Sequence, residues 1–262
     1  MESVLFTRSR SITSGNATPM SSDPAPLHPA ALSSSPQFQY RGHDILDLLK
    51  EARNYNRWLA DQVVAAAPPQ AGKIVDLGAG RGTFAEMLRA RGLEVNCVEP
   101  DPENQIVLRE NGFPVATGME EHEPGSCDYI FTLNVLEHVP EDEALVRVAF
   151  SRLRNCGRLF VFVPAFPILW SRLDDYVEHQ RRYRRASMVA MLRRAGFEVE
   201  RARYADCVGF FAALGFGRSG RAEISARSSW FYDRVLFPVS RFLDPVLGQF
   251  FGKNLAVGCR KP

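Results

Sequence analysis

A glycine-rich turn separates an apolar run from an amphipathic segment in the sequence KIVDLGAGRGTFAEML, Lys73 to Leu88. Ile74 and Val75 indicate the end of a buried strand, and the apolar spacing that begins at Thr83 predicts a helix. A turn of this kind at a helix N-terminus brings backbone N–H groups close to a ligand. The pattern therefore predicts a ligand-binding turn between a strand and a helix.

Two acidic residues flank this turn. Asp76 stands just before the glycines, and Glu99 ends the next apolar run, VNCVEP, nineteen positions after Gly80. A carboxylate at Asp76 suits a cationic or hydroxylated ligand better than a phosphate. An acid at the position of Glu99 can hold the two hydroxyls of a ribose. Together they favour a nucleoside ligand.

Two classes of nucleoside-binding turn compete for this motif. The dinucleotide fingerprint is G-x-G-x-x-G, whereas Gly78, Gly80 and Gly82 run G-x-G-x-G and Thr83 takes the place of the third dinucleotide glycine. Asp76 would also face a pyrophosphate with like charge. The motif instead resembles the first motif of class I S-adenosylmethionine (SAM) methyltransferases, whose ligand has a sulfonium, an ammonium group and no phosphate. Dinucleotide binding stays as the alternative.

Composition limits the class of protein. The chain has 262 residues, of which 45% are hydrophobic and 24% charged, so it can bury one core in an ordinary globular domain. A net charge of +2 gives no reason to propose a nucleic-acid partner. The five cysteines lie far apart, which shows no metal-ligand pair. No apolar run approaches the roughly 20 residues of a membrane span. We expect a cytoplasmic protein.

The chain divides into a leader and one domain. Residues 1–38 are rich in Ser, Thr, Pro and Ala, which predicts a disordered leader. Arg8 and Arg10 suggest a transit peptide, but a leader without a targeting role is the simpler interpretation. Residues 39–262 form the predicted SAM-binding domain. Within it, the apolar stretch 206–253 predicts a lid-like insert, with a dimer surface and a membrane-surface strip as alternatives.

Strand and helix signals alternate along the domain. Helical spacing over 40–67 predicts an N-terminal helical cap. We predict strands at 73–77, 94–99, 114–117, 128–133, 158–163, 198–205 and 254–259, and helices at 82–90, 102–110, 140–153 and 186–195. This order predicts an α/β fold with a doubly wound, mostly parallel, seven-stranded Rossmann-like sheet. Ligands of such sheets bind beyond the carboxyl ends of the strands, where Gly78, Glu99, Met119 and Asn134 fall.

A second motif, CDYIFTLNVLEHVPEDEAL, begins in the fourth strand. It continues through a loop, Asn134 to Val139, into a helix, and Pro140 fits the first position of that helix. Together with NYNRWL around Tyr55, VDLGAG and a downstream HxRRY, it resembles a specific group of small-molecule methyltransferases. The resemblance covers the chain from about Asn54 to its end. It implies the class I methyltransferase fold, with the seventh strand antiparallel.

The resemblance also implies contacts to SAM. The implied cofactor-binding residues are Tyr55 over the methionine end, Asp76, Gly78, Ala79, Gly80, Glu99, Pro100, Met119, and the backbone of Asn134, Val135 and Leu136. Met119 replaces the acid with which many relatives receive the adenine amino group, so it can only pack on the ring. Some small-molecule O-methyltransferases bind a divalent ion through a related E-x-x-E-H motif. This chain has Asn134 in place of the first acid, so we expect no metal.

His138 is the candidate base, because it lies where the acceptor atoms of the substrate should be. With an ordinary pKa of about 6.5 it could take a proton from a substrate oxygen or nitrogen. A purely structural role, ordering the loop through hydrogen bonds, is the alternative.

A third motif, WSRLDDYVEHQRRYRR, follows the fifth strand and lines the same edge of the sheet. Arg181 and Arg182 could form bidentate bonds to a carboxylate or phosphate of the acceptor. His179 and Tyr183 could orient the accepting atom, and Trp170 could line the acceptor site. A solvated charged turn is the alternative. Relatives keep a glycine at the position of Glu178.

These patterns together predict an enzyme that transfers a methyl group from SAM to a small-molecule acceptor, at oxygen or nitrogen rather than carbon. A secondary-metabolite, glycan or lipid-linked biosynthetic pathway would fit. The alternatives are a SAM-fold protein that binds without catalysis and a nicotinamide-dependent oxidoreductase. The expected partner is an anionic or long-chain acceptor, and a homodimer or a membrane surface stays open.

Overall fold

A computed structural model describes residues 50–218 and 226–262 of the chain. The leader at 1–38 and the first part of the helical cap lie outside the described residues, as does a short part of the insert. The described part of the cap is one helix, α1, Arg53–Ala66. Helical spacing in the sequence is confirmed there.

Strands and helices alternate as the sequence predicts, with boundaries that differ by a few residues. The strands are β1 Ile74–Leu77, β2 Val95–Val98, β3 Val115–Ala116, β4 Cys127–Leu133, β5 Leu153–Pro164, β6 Glu198–Ala205 and β7 Asn254–Arg260. The further helices are α2 Thr83–Arg89, α3 Pro102–Glu110, α4 Asp142–Arg152, α5 Arg172–Tyr176, α6 Arg185–Arg194, α7 Cys207–Arg218, α8 Ala226–Phe231 and α9 Phe237–Leu247.

The seven strands form one sheet in the order β3-β2-β1-β4-β5-β7-β6. β1 to β5 pair in parallel, whereas β7 pairs antiparallel with both β5 and β6. The predicted doubly wound sheet with an antiparallel seventh strand is confirmed. The strand order reverses between β1 and β4, which is where ligands of such sheets bind.

One boundary prediction was wrong. Pro140 does not occupy the first position of a helix, because α4 begins at Asp142 with Glu141 as its N-cap. Val139, just before the proline, has extended backbone angles, φ −91° and ψ 119°. A residue that precedes proline is pushed out of the helical region by the proline ring. The loop therefore runs two residues further before the helix starts.

Helices cover both faces of the sheet and bury its central strands. α1 packs on one face through Leu59, Ala60 and Val63, each fully buried. The hydroxyl of Tyr129 on β4 donates to the carbonyl of Val63 over 2.7 Å, which fixes α1 to the middle of the sheet. Burying a side chain the size of Leu59 contributes about 1.5–3 kcal/mol. α1 is thus held firmly where it can overlie the carboxyl edge.

The insert between β6 and β7 is helical in its described part. It contains α7, α8, a five-residue π-helix, Tyr232–Leu236, and α9. Asp233 in the π-helix accepts hydrogen bonds from the backbone N–H groups of Asn54 (3.1 Å) and Tyr55 (2.9 Å). Because these groups belong to the first turn of α1, the insert caps that helix. Among the described residues, no helix is long and apolar enough to cross a membrane.

Candidate functional site

The glycine turn follows β1 and lies against the loop that follows β4. Gly78, Gly80 and Gly82 have φ angles of 81°, 55° and 84°, in the left-handed region. A Cβ built on Gly78 would come within 2.3 Å of Cγ2 of Val135. Only glycine therefore lets the turn approach this loop so closely. The N–H groups of Gly78 and Ala79 donate to the Val98 carbonyl at the end of β2.

Two buried carboxylates flank the turn. Asp76 is the last residue but one of β1, and Glu99 follows β2; they are 3% and 5% exposed. Burial raises the pKa of both groups, and the charge of Glu99 raises that of Asp76 further. Neither forms a salt bridge with a described residue. Two buried acids without a cation make this site attractive to a positively charged ligand with hydroxyl groups.

Backbone hydrogen bonds hold the Glu99 carboxylate beside the turn. The N–H of Gly80 donates to Oε2 over 2.7 Å, and the N–H of Asp101 donates to Oε1 over 2.9 Å. A carboxylate has about four lone-pair positions, so both oxygens can still accept from a ligand. Pro100, next to Glu99, is exposed, whereas Met119 after β3 is buried, at 1% exposure.

The loop after β4 is held in a specific conformation. Asn134 is exposed with φ 54°, and its N–H donates to the Phe162 carbonyl on β5 over 2.8 Å. Leu136 then begins a 3-10 turn, Leu136–His138. The predicted loop over the carboxyl edge is thus present, and the contact of Val135 with Gly78 brings it to the glycine turn.

Tyr55, in the first turn of α1, also lies at this edge. Its ring packs edge-on against Phe237 of α9, with 5.0 Å between the ring centroids. Its hydroxyl accepts a hydrogen bond from the side-chain amide of Asn254, at the start of β7, over 3.2 Å. Because β7 is antiparallel, its first residue shares an edge with the carboxyl ends of β4 and β5. The N-terminal cap and the insert therefore meet at this edge.

Both arginines of the predicted acceptor clamp have partners inside the protein. Arg182 donates to both oxygens of Asp174, at 2.7 and 3.0 Å, and this pair is buried. Arg181 donates to the Pro140 carbonyl over 2.8 Å and forms a salt bridge with Asp142 at 2.9 Å. These contacts tie the third motif to the loop after β4. They give the clamp hypothesis no geometric support.

Tyr183 and Trp170 are likewise engaged. The Tyr183 hydroxyl contacts two acceptors, the Leu136 carbonyl (3.0 Å) and Asp142 (2.7 Å), so it orders the loop. The Trp170 indole N–H donates to Asp175 over 2.8 Å. Glu178 has φ 58°, a left-handed angle that glycine adopts more easily, which accounts for the glycine in relatives.

His138 and His179 lie side by side, with 4.7 Å between ring centroids and an angle of 74° between the rings. Burial and the neighbouring His179 lower the pKa of His138 to about 4. The ring is therefore neutral at pH 7, able to accept a proton but only weakly basic. Glu137, fully buried beside them, has its pKa raised to about 8 by burial.

Sequence analysis assigned no role at this site to three acids: Glu137, Asp174 and Asp233. Glu137 had a local signal in its likeness to the second acid of the E-x-x-E-H motif. Asp174 had one too, since Ser171 stands three residues earlier as in a capping box, and the Ser171 N–H does donate to it over 2.8 Å. The motif containing it was interpreted as a turn, but it includes α5. Asp233 had no local signal in the sequence, because its partners lie about 180 positions away.

Comparison with known proteins gives the family. A family model described as "Methyltransferase domain" matches residues 49–202, more than half of the chain. The chain is 30% identical over 99 residues to a ubiquinone biosynthesis O-methyltransferase from Xanthomonas euvesicatoria pv. vesicatoria, a match that covers 34% of this chain and 41% of that protein. The chain thus spans about two fifths of the length of this curated relative.

Solved structures agree on the fold. A SAM-dependent methyltransferase from Archaeoglobus fulgidus superposes with a TM-score of 0.56 at 15% identity, over 83% of this chain and 99% of that one. Geranyl diphosphate C-methyltransferase from Streptomyces coelicolor A3(2) also superposes with a TM-score of 0.56, at 14% identity, over 79% and 77%. Identities this low show a shared fold and leave the substrate open. By the family match, the chain belongs to the methyltransferase domain family.

Proposed function

We propose that this protein transfers a methyl group from SAM to a small-molecule acceptor, at oxygen or nitrogen rather than carbon. The observation that carries the proposal is the pair of buried carboxylates, Asp76 and Glu99, beside the glycine turn. SAM offers them a sulfonium, an ammonium group and two ribose hydroxyls. A dinucleotide would bring its pyrophosphate to the same turn and meet like charge.

The remaining predicted cofactor contacts fit the same ligand. The Glu99 carboxylate, oriented by two N–H groups, would accept from the ribose hydroxyls. The exposed backbone of Asn134 and the half-buried ring of Tyr55 would border the ligand from opposite sides of the edge. The side chain of Met119, by contrast, is buried in the core at 1% exposure, so it does not offer the adenine ring a packing surface, and backbone or neighbouring groups would recognise adenine. These assignments are supported by the positions of the residues at one edge of the sheet.

The main task of the protein in this reaction is to align the acceptor atom, the methyl carbon and the sulfur. The acceptor atom attacks the methyl carbon in line as the carbon–sulfur bond breaks, and the electron pair of that bond stays on sulfur. Holding the reactants in line can remove roughly 7–11 kcal/mol from the barrier. His138 would take the acceptor proton, since its ring is neutral at pH 7 and only partly buried. An acceptor that is already nucleophilic needs no base.

The insert supports an acceptor with a long apolar chain. Its inner side contacts α1, which makes it a candidate lid. Its outer side carries exposed large apolar residues at helical spacing, namely Phe231, Val235, Val239, Phe242, Val246 and Phe250. Three arginines, Arg227, Arg234 and Arg241, are exposed in this segment, and no carboxylate within 227–250 is exposed.

An apolar stripe with basic flanks suits a membrane surface that carries anionic lipid. We include this contact in the proposal: the outer face of the insert rests on such a surface, and the lid receives a lipid-linked acceptor from it. The relatives named for ubiquinone biosynthesis favour oxygen as the methyl acceptor.

Calorimetry tests the cofactor directly. SAM and S-adenosylhomocysteine should bind the full-length protein with one-to-one stoichiometry, and NADH should not bind. Binding of NADH in preference to SAM would refute the proposal and favour an oxidoreductase. Binding of SAM without methyl transfer to any acceptor in a lipid extract would favour the non-catalytic alternative.

Vesicle sedimentation tests the membrane contact. The protein should sediment with vesicles that contain phosphatidylglycerol and much less with phosphatidylcholine alone. Phe242→Glu should abolish sedimentation, because Phe242 is 83% exposed in the centre of the stripe. Ile106→Glu is the matched control, since Ile106 is an exposed apolar residue on α3, outside the insert. Equal effects of the two substitutions would remove the membrane from the proposal.

A further inference from the structure

Three side chains that can bind a metal ion converge beside the loop after β4. Glu137, His138 and His179 each offer one ligand atom, and these atoms all lie within 4.8 Å of one another. No other group of three or more His, Cys, Asp or Glu side chains converges this closely among the described residues. Two come from one loop and the third from the segment after α5. Sequence spacing alone could not have shown the group.

The distance between Glu137 and His179 needs only a small adjustment to fit an ion. Nε2 of His179 lies 3.8 Å from Oε1 of Glu137. Two ligand atoms bound tetrahedrally to one zinc ion at about 2.0–2.1 Å would be roughly 3.3 Å apart. A movement of about half an ångström would therefore bring this pair into a coordination sphere. The separation is also too long for a hydrogen bond.

Glu137 lacks the partners that a buried carboxylate needs. Its side chain has 0% exposure, and neither carboxylate oxygen has a hydrogen-bond partner in the described part of the chain. Burying a carboxylate in this way is costly unless a cation or a hydrogen-bond donor compensates it. Arg182, the nearby buried cation, is bound to Asp174 instead. The site therefore contains a place for a positive charge that no described residue fills with a hydrogen bond to Glu137.

Asp174 orients His179 as a metal ligand is oriented. Its Oδ1 lies 2.8 Å from Nδ1 of His179, and Arg182 binds the same carboxylate through two hydrogen bonds. The hydrogen bond places the ring proton on Nδ1 and leaves the lone pair of Nε2 directed towards Glu137. A histidine that binds a metal usually donates its other ring N–H to a carboxylate in this way.

We propose that Glu137, His138 and His179 bind one divalent transition-metal ion of the zinc type, which would hold the acceptor oxygen. Two imidazoles and one carboxylate suit zinc, whereas magnesium and calcium prefer oxygen ligands only. Three protein ligands leave a fourth position open, as in catalytic zinc sites. The missing acid at Asn134, from which we expected no metal, is then replaced by His179.

The role of the ion rests on the proposed methyl transfer. An acceptor hydroxyl in the fourth position would have its pKa lowered and release its proton to solvent. Its oxygen would then form the bond to the methyl carbon while the carbon–sulfur bond breaks and S-adenosylhomocysteine leaves. His138 would act as a ligand in this case, and no separate base would be required. The rival is a metal-free pair in which Asp174 orients His179 as a base.

Metal binding can be measured without knowing the acceptor. The experiment uses tag-free, full-length protein stripped with a chelator and titrated with ZnCl₂, and separately with CoCl₂, by calorimetry and visible absorption. The protein used in both titrations carries Cys156→Ser, which removes an exposed thiol. We expect one ion per chain, the visible absorption of four-coordinate cobalt, a higher melting temperature with zinc, and no binding of MgCl₂.

The variants decide between a site and adventitious binding. Loss of a residue that only hydrogen-bonds a metal ligand typically lowers metal affinity 10–100-fold. Replacing a ligand itself should cost at least as much, so Glu137→Gln and His179→Gln should each weaken zinc binding at least tenfold. His122→Gln, at a buried histidine in another loop, is the matched control and should bind zinc normally. Glu137→Gln should leave the melting temperature of the metal-free protein unchanged or higher, because it replaces a buried acid whose oxygens have no hydrogen-bond partner among the described residues.

Equal zinc affinity in the wild type and Glu137→Gln would overturn the proposal, as would the absence of binding in the wild type. SAM titrated into the same metal-free protein separates this failure from that of the proposed function. If SAM binds and zinc does not, only the metal site fails and the Asp174–His179 pair becomes the better interpretation. If neither binds, the proposed function fails too.

Discussion

Replacing Gly78 with alanine tests whether the glycine turn really lies against the loop after β4. The added Cβ would meet Cγ2 of Val135 at 2.3 Å, closer than real Cβ atoms come to a neighbour, and its Cγ1 at 3.0 Å, a tight contact. Gly92→Ala is the matched control. Gly92 has nearly the same φ angle, 80° against 81°, but nothing lies within 4 Å of its built Cβ.

The two substitutions share one cost and differ in another. Placing alanine in the left-handed region costs about 1–2 kcal/mol at either position. Loss of glycine flexibility in the unfolded chain offsets about 0.4–1 kcal/mol of that cost in both variants. Only Gly78→Ala adds the steric overlap, worth about 1–3 kcal/mol. The difference between the variants therefore isolates the contact with Val135.

Thermal denaturation and calorimetry with SAM provide the readout. Gly78→Ala should melt about 2–12 °C below Gly92→Ala, at about 2–4 °C per kcal/mol for a domain of this size. It should also bind SAM more weakly, whereas Gly92→Ala should not. Val135→Ala should restore part of both losses in Gly78→Ala, because it removes the two closest methyl groups. Equal stability and equal SAM affinity in the two glycine variants would refute the arrangement.

Three other substitutions test the cofactor site, the helical cap and the third motif. Glu99→Ala should weaken SAM binding at least tenfold in calorimetry, since charge-assisted hydrogen bonds contribute about 1.5–3 kcal/mol each; unchanged affinity would place the ribose elsewhere. Asp233→Ala should lower the free energy of unfolding in urea by about 0.5–2 kcal/mol, because two N–H groups at the start of α1 lose their acceptor. Arg182→Gln should cost about 3–5 kcal/mol in the same assay, because it removes the arginine of a buried ion pair and leaves Asp174 buried. Arg181→Gln, at a residue whose side chain is 32% exposed, should cost under about 1 kcal/mol, and equal costs would contradict the buried pair.

The parallel sheet was predictable because each element carries its own local signal. Val75 and Ile130 lie in short apolar runs bounded by turn residues, and both are fully buried in adjacent strands. Alternation of such runs with helical spacing leaves few topologies. The antiparallel seventh strand came only from the resemblance to methyltransferases, since nothing in the residues 254–260 gives their direction.

The cofactor side of the site was also predictable, because its residues follow strand ends. Asp76 lies near the end of a recognisable strand and Glu99 directly follows the next one, and neighbouring parallel strands bring their carboxyl ends together. The acceptor side of the site was not predictable from the sequence. The partners of Arg181 and Asp233 lie 41 and about 180 positions away in the chain. Charged residues close in sequence look alike whether they face solvent, a substrate or one another, so periodicity cannot separate a clamp from a scaffold.

The acceptor side differs from the cofactor side in how its charges are balanced. Asp174 is compensated by Arg182 and His179 within the chain, and these hydrogen bonds hold its pKa well below the usual range. Within residues 50–218 and 226–262, Asp76 and Glu99 form no salt bridge, and Glu137 has only the His179 ring, 3.8 Å away. Asp174 thus organises the loops, whereas Asp76, Glu99 and Glu137 are available to bind ligands.

The cofactor side and the acceptor side of the site share the loop after β4. The loop after β4 touches the glycine turn through Val135 and carries Glu137 at its centre, two residues further on. Gln180 donates its backbone N–H to the Glu137 carbonyl over 2.6 Å, which ties that loop to the segment bearing His179. A cation that draws Glu137 and His179 together would therefore act on the same short loop against which SAM is expected to lie. Binding of the two ligands should be coupled, and by thermodynamic linkage each would change the affinity of the other by the same factor.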